Sequence, residues 1–499
     1  MQSRIECLIR LRGEQRGDAP AVQWGGSELS YTWLLEESAR VGLGLRQLGV
    51  VPGERVVLGL RNSPELIAGM LGVFSAGCVL VPLNPGYTAR EAAYVVGDSG
   101  ARVVIADPAV RKAIDGHLPA SVRWLTSDLP RASGTLEPAS GSADEPAMIV
   151  YTSGTTGRPK GAILSHRAIS TNLATVARAW RWTEGDRLLL TLPCFHLHGL
   201  ALGILGSLLT GSTIILRSRF VAEEAVADSA AQRATLFFGV PTMYNRLVAL
   251  PAGALDRCDL SSMRLWVSGS APLTAATFER FRERFGHEIL ERFGMSEGLF
   301  MISAPYDGPR RAGSVGHPLP GIDVRIVDAD ALDGGSVRDV APGEQGELLV
   351  RGPNLFSGYW NRAEETARAF VGGYFRTGDL AARDGDGTIR ITGRISLDII
   401  KTRGFKISAV EIENQLQAHH AVRDVAVIGV PDADQGERLV AVVVPSPGTN
   451  LTTEELRTYA RQHLAPHKVP AEIRFVEEIP SSGPGKFSKR VLIEQIRRG

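Results

Sequence analysis

Cysteine is scarce in this chain. Cys7, Cys78, Cys194 and Cys258 lie far apart and form no Cys-x-x-Cys pair, which excludes a zinc ribbon and a disulfide framework. Free thiols in a reducing compartment are expected. An excess of one charge is also missing: 55 Lys+Arg nearly cancel 54 Asp+Glu, leaving +1. No overall basic field therefore marks the chain for nucleic acid or an anionic membrane, and a small-molecule substrate is expected. Long unbroken apolar runs are absent too. Residues 188–216, "LLLTLPCFHLHGLALGILGSLLTGSTIIL", carry no Asp, Glu, Lys or Arg and reach the length of a membrane span. Pro193, His196, His198 and several glycines interrupt them, so a strand, a buried helix and a second strand fit better. The opening "MQSRIECLIRLRGEQRGDAP" has charges inside its apolar run and no small-residue cleavage site, unlike a secretory signal. A cytoplasmic enzyme is expected.

At 499 residues the chain exceeds the ~250 to 300 residues at which single cores stop growing, so two or more domains are expected. Up to about residue 390 short β-rich runs alternate with helical stretches. "RVVLGL" (55–60) precedes "SPELIAGMLGVFSAG", which opens on a Ser-Pro cap, and "VLVPL" follows. Such alternation predicts parallel sheets flanked by helices. The last hundred residues read α, β, β, α, β, a small α+β domain. The pattern breaks near "GRISLDIIKTRGFKIS" (393–408).

One loop carries unusual chemistry. "YTSGTTGRPKG" (151–161) packs three glycines, four Ser/Thr hydroxyls and a lysine into eleven residues. Glycine lets backbone N–H groups approach an anion, hydroxyls add donors and lysine adds a point charge. That combination suits a polyphosphate. The spacing of Gly154, Gly157 and Lys160 is not that of the Walker loop, which argues against a P-loop kinase or GTPase. Three further clusters are candidates. In "ILERFGMSEG" (289–298) Phe293 can stack on a purine, Ser296 can bond a phosphate and Glu297 can hold Mg²⁺; the competing reading is a helix cap at Ser296. "LWVSGSAPL" (265–273) ends a strand in small residues that let a flat base approach. "YFRTGDL" (374–380) sets Asp379 in a glycine turn, where its carboxylate can accept both hydroxyls of a ribose or simply cap the turn. Arg394 is a second ribose or phosphate candidate.

Together with "GRISLDIIKTRGFKI" and "GPGKFSK", these motifs resemble, in order and spacing, the adenylate-forming superfamily of acyl-CoA synthetases, peptide-synthetase adenylation domains and luciferases. The likeness spans nearly the whole chain. It implies an α/β fold: a large, multi-subdomain N-terminal domain (1–394) with parallel-rich sheets flanked by helices, and a small, mobile α+β C-terminal domain (395–499). It also implies ATP, Mg²⁺ and coenzyme A as reactants, and a monomer or homodimer with no membrane span.

Carried over residue by residue, the resemblance assigns Thr152, Ser153, Gly154, Thr155, Thr156, Gly157 and Lys160 to the β- and γ-phosphates. Gly269, Ser270, Ala271 and Phe293 would enclose adenine, and Ser296 would contact the α-phosphate. Glu297 would hold magnesium, Asp379 and Arg394 the ribose, and Lys486 would reach the reacting carboxylate. Gly404, Phe405 and Lys406 would face CoA, with a hinge near residues 396–398. Ser296 stands where many relatives have threonine. "LPCFHLHGLALGILGSLL", "FFGVPTMYNRL" and "PYDGPRRAGSVGHPLPGIDVRI" resemble malonyl-CoA synthetases more than fatty acyl or coumarate ligases, although Gly298 replaces an expected threonine. Arg246 would then sit beside the acyl pocket and pair with a second carboxylate, assisted by His196, His198, Ser268 and Met295. The competing readings are a medium-chain or aromatic acyl-CoA synthetase, and a nucleotide-binding protein without turnover.

Overall fold

The computed structural model describes residues 4–114, 122–126, 128–136, 141–152, 159–333, 336–395, 399–402, 405–432, 436–483 and 486–498. Apolar alternation becomes two large sheets. Five parallel strands, Thr213–Leu216, Arg187–Leu190, Leu236–Gly239, Leu265–Ser268 and Leu290–Met295, form the middle of a nine-stranded sheet. Its last strand turns back as an antiparallel hairpin with Leu299–Ser303. Strands Arg55–Gly59, Val79–Pro82, Val103–Ala106 and Arg123–Leu125 run parallel in a six-stranded sheet. That sheet closes on the antiparallel pair Pro146–Thr152 and Lys160–Ser165. The central strands read as near-continuous Val, Ile and Leu because helices cover both faces.

Helix signals act as expected. The Ser63 side chain accepts from Leu66 N ahead of the Pro64–Ser75 helix, whose proline sits at the first turn. That helix crosses Tyr31–Gln47 at Gly42 and Gly72. A Cβ on Gly72 would lie 2.5 Å from Val41, so the crossing admits no side chain. Aromatic rings fill the core behind the nine-stranded sheet, with Trp266 5.3 Å from Phe237 and 5.1 Å from Phe281 between centroids.

Residues 188–216 do form strand, buried helix and strand. The helix His198–Leu205 is a π-helix that continues into Gly206–Thr210. No helix among the described residues is long and apolar enough to cross a membrane, and all four cysteines are free. The alternating pattern fails between residues 323 and 394. There five strands form an antiparallel sheet, whose antiparallel neighbours need no crossover helix between them, although the helices Ala329–Asp333 and Ala363–Arg368 lie in its two longer connections. Its last strand ends at Arg394. The next described strand, Ile399–Thr402, belongs to the C-terminal sheet, where two sequence features went unread: the 399–408 hairpin and the final helix Lys489–Arg498.

The N-terminal helix is pinned by His166. This imidazole is fully buried, accepts from Ile5 N at 3.4 Å through Nδ1 and meets the Phe74 ring edge-on. Burial foremost, and then the Arg4 charge, pushes its pKa down to about 3. It is therefore neutral, and its 3.3 Å approach to Glu6 is no ion pair at neutral pH. An unfolded histidine takes its proton near ~6.5, so the unfolded state binds more protons between pH 6.5 and 3. Stability is full above pH 6.5 and falls below it, by up to ~1.4 kcal/mol per pH unit. Replacing His166 with Gln should flatten the decline of melting temperature from pH 7 to pH 5. Identical slopes in both proteins would contradict this account.

Candidate active site

The phosphate-loop candidates Ser153, Gly154, Thr155, Thr156 and Gly157 lie outside the described residues, as do Gly404 and the hinge residues 396–398. The flanks of the loop are described. Thr152 and Lys160 oppose each other where the two strands of the hairpin open. Both ends are clasped from outside. Tyr151 OH donates to Asp98 Oδ2 at 2.7 Å, and Tyr94 OH donates to the Pro159 carbonyl at 2.9 Å. Arg362 closes the clasp by donating to Asp98 Oδ1 at 2.9 Å. Segment 357–362 runs beside the second hairpin strand, with Ile163 N bonded to Gly358 O and Trp360 N to Gly161 O.

That segment brings Tyr359 into the site. Lys160 Nζ stands 5.0 Å from the centroid of the Tyr359 ring, and Tyr359 OH donates to Glu297 Oε1 at 3.0 Å. Glu297 is buried. Burial raises its pKa, while Tyr359 and Arg394 oppose the rise. A tight hairpin turn, and not a helix, follows Phe293 and Met295, so Ser296 caps nothing. Asp379 is not in a turn either. It lies within the long strand Tyr374–Arg383, where the register slips against the neighbouring strand and Gly378 takes φ +70°. This bulge turns the carboxylate towards Arg394, whose Nε and Nη2 reach its two oxygens at 2.7 and 3.3 Å. Each oxygen retains a lone pair for a further donor. Among the described residues no three His, Cys, Asp or Glu side chains form a metal cage. The buried Glu297, joined through Tyr359 to the neighbourhood of Lys160, nevertheless fits Mg²⁺, which takes one or two carboxylates and otherwise substrate phosphates and water.

Gly269, Ser270 and Ala271 follow the strand Leu265–Ser268, and Ser270 holds φ +72°, a strained setting for a non-glycine residue that is typical of functional loops. The strain has a neighbour. A Cβ on Gly269 would lie 2.5 Å from the guanidinium carbon of Arg292, so only glycine lets that arginine in. Arg292 is buried, stands 4.9 Å over the Phe300 ring and donates to Ser270 Oγ at 3.4 Å. His198 Nδ1 lies 3.3 Å from the same hydroxyl. No described carboxylate pairs with Arg292, and its Nε, His198 Nε2 and Ser268 Oγ have no partner among the described residues. Burial pushes the Arg292 pKa down to about 9, so it stays charged at neutral pH. Burial, and then the Arg292 charge, lowers that of His198, which stays neutral.

Arg292 and Tyr359 were missed in the sequence. Arg292 lies inside the quoted "ILERFGMSEG", and a charged residue on the inward side of a strand was the available signal. Arg246 is exposed on the helix Pro241–Val248 and lines a cavity together with Phe195 and Met243. Gly298 has a structural reason, since a Cβ there would collide with the Met301 sulfur. Lys486 opens the short strand Lys486–Phe487, paired with Ser481–Gly483. Phe405 and Lys406 lie on the strand Phe405–Ser408.

Lys160 and the buried Glu297 meet at Tyr359, and the carboxylate–guanidinium pair Asp379–Arg394 lies close enough to act on Glu297 electrostatically. Residues 9–360 match the AMP-binding enzyme family and residues 411–486 the AMP-binding enzyme C-terminal domain, and the chain belongs to that family. It is 37% identical over 524 aligned residues to a mitochondrial malonate–CoA ligase of Homo sapiens, covering 96% of this chain and 90% of the relative. It is 36% identical to a feruloyl-CoA synthase of an Amycolatopsis species, with 96% of each chain covered. The crystal structure of ATP-bound MatB from Rhodopseudomonas palustris matches with a TM-score of 0.90 at 34% identity over 99% of both chains.

The clasp yields a prediction. Removing the Asp98 carboxylate takes away two hydrogen bonds worth ~0.5 to 1.5 kcal/mol each, both spent on holding the phosphate hairpin. Asp98→Ala should raise the KM for ATP about tenfold and shift the melting temperature by only a few degrees. An unchanged KM would mean that the hairpin holds its shape unaided.

Proposed function

We propose that the chain is an ATP-dependent, AMP-forming acid–CoA ligase whose acid is malonate or methylmalonate, acting in the cytoplasm. Relatives alone do not choose the acid, because a malonate–CoA ligase and a feruloyl-CoA synthase match almost equally. Arg292 carries the choice. A buried cation without a counter-charge costs several kcal/mol, and the free carboxylate of a dicarboxylic acid offsets that cost through two parallel N–H···O bonds. A fatty or aromatic tail would leave the cation bare. The role goes to Arg292 and not to Arg246, because an exposed guanidinium is screened by water whereas a buried one is not. His198, Ser268, His196 and Met295 complete the acyl pocket.

In the first step a carboxylate oxygen of the acid attacks the α-phosphorus of ATP, and the bond to the bridging oxygen breaks as pyrophosphate leaves. Residues 152–157 and Lys160 hold the β- and γ-phosphates. Gly269, Ser270, Ala271 and Phe293 flank adenine, Asp379 with Arg394 binds ribose, and Ser296 bonds the α-phosphate. Lys486 neutralises charge that grows on the reacting oxygens. Mg²⁺ held by Glu297 supplies further charge neutralisation when bound. In the second step the CoA thiolate attacks the acyl carbonyl and AMP leaves. Residues 395–499 turn between the steps, withdrawing Lys486 and presenting Gly404, Phe405 and Lys406.

Arg292→Met should lower kcat/KM for malonate by about 10² or more while butyrate is unchanged or improved, since charge-assisted bonds are worth ~1.5 to 3 kcal/mol each. A wild type that prefers octanoate or coumarate to malonate would overturn the dicarboxylate reading. Lys486→Ala should lower adenylate formation about 10²-fold and change thioester formation from supplied malonyl-adenylate far less. Equal losses in both half-reactions would remove Lys486 from its role.

A further inference from the structure

Tyr359 stands between two opposite charges of the site. Its hydroxyl donates to Glu297 Oε1 at 3.0 Å, and Lys160 Nζ lies 5.0 Å from the centroid of its ring. Among the described residues no other side chain donates to Glu297, and Lys160 and Glu297 form no ion pair with each other. Charges of opposite sign in one partly buried neighbourhood attract strongly enough to meet unless something intervenes. A direct Lys160–Glu297 pair would cancel the cation that phosphate needs and the carboxylate that Mg²⁺ needs, and it would have to break before either bound. Tyrosine can prevent the pairing because it offers each charge a different partner: a hydroxyl that donates to the anion and a ring face that attracts the cation. Neither partner carries a full charge, so each yields to a ligand that does.

The ring is held in place from both sides. Phe356 N donates to Glu297 O at 2.8 Å, while Ile163 N donates to Gly358 O at 3.0 Å and Trp360 N to Gly161 O at 2.7 Å. Tyr359 N donates to Thr366 Oγ1 at 2.9 Å, and the Phe356 ring meets the Tyr359 ring edge-on at 4.8 Å. Tyr359 forms an antiparallel bridge with Ala162, and successive side chains of such backbone point to opposite faces. Trp360 accordingly turns to the Asp98 carbonyl, to which its indole donates at 3.1 Å, and Tyr359 turns the other way, towards Lys160 and Glu297. One short segment therefore spans from the backbone of the carboxylate to the strand that begins at the lysine.

Resting on the acid–CoA ligase reading, we propose that Tyr359 is a positioning residue that holds Lys160 and Glu297 apart in the ATP-free protein, so that the ammonium stays available to the nucleotide's phosphates and the carboxylate to Mg²⁺.

Calorimetric titration of ATP, first with EDTA and then with Mg²⁺, reads the two contacts separately. Tyr359→Phe keeps the ring and loses the hydroxyl. Its metal-free affinity for ATP should stay within about threefold of the wild type, whereas the gain in affinity on adding Mg²⁺ should shrink about tenfold, as loss of a hydrogen bond to a charged group implies. Tyr359→Leu loses both contacts, and its metal-free affinity should fall about tenfold. If that fall reflects Lys160 pairing with Glu297, Glu297→Gln should relieve it. Removing a carboxylate favours a polyanion in any background, so the measure is a difference: the improvement that Glu297→Gln brings to the Tyr359→Leu protein should exceed the improvement it brings to the wild type by about fivefold. Additive effects of the two changes, or a Mg²⁺ gain in Tyr359→Phe equal to that of the wild type, would overturn the proposal. Should Tyr359→Leu not fold, the Tyr359→Phe titrations decide it. These titrations contain neither acid nor CoA, so a wild type that binds ATP yet makes no malonyl-CoA would count against the acid assignment alone. A wild type that binds no ATP would overturn both.

Discussion

A guanidinium buried without a carboxylate is an expensive thing to build, and the neighbourhood of Arg292 is arranged around that cost. Gly269 gives up its side chain so that the group fits, Ser270 accepts a left-handed backbone beside it, and the Phe300 ring lies under its face. His198 stays neutral next to it. The result is one fixed positive charge in a dry place. Because no described carboxylate cancels the charge, its field is available to whatever comes beside it.

The handling of charge differs across the molecule in a consistent way. Structural arginines are matched: Arg264 with Asp186, Arg376 with the buried Glu347, Arg217 with Asp228. Arg394 is matched yet leaves its partner's oxygens partly free. Arg292, Arg219 and Arg246 have no acidic partner among the described residues. A net charge of +1 conceals this, since matched pairs dominate the sum. Steering by such local fields does not require a basic chain.

Much of the fold was legible in the sequence because its signals are local. Ser63-Pro64 capping, the parallel-strand runs and the reading of residues 188–216 as strand, helix, strand need only near neighbours. The antiparallel sheet of residues 323–394 was not legible, because strand pairing depends on partners far along the chain. At the site, the motif positions came from resemblance, but the clasp on the phosphate hairpin did not. Asp98, Tyr151 and Arg362 are 53 and 264 residues from one another along the chain in their bonded pairs, and no periodicity announces such a meeting. Arg246 is named from the sequence and Arg292 is not, because burial, which separates a screened arginine from an unscreened one, is a property of the folded state. The same ignorance of pairing set Asp379 in a turn when it belongs to a bulge.

The π-helix His198–Leu205 has a consequence for how this protein can vary. A π-turn is one residue longer than an α-turn, so the helix in effect stores an inserted residue. Each residue of an α-helix advances the face by roughly 100°. Losing one position between 198 and 205 would let the segment relax into an ordinary helix and swing His198 away from Ser270. Side chains along this stretch can vary while the backbone keeps its turn, but its length cannot. Gaps in an alignment of functional descendants should avoid it.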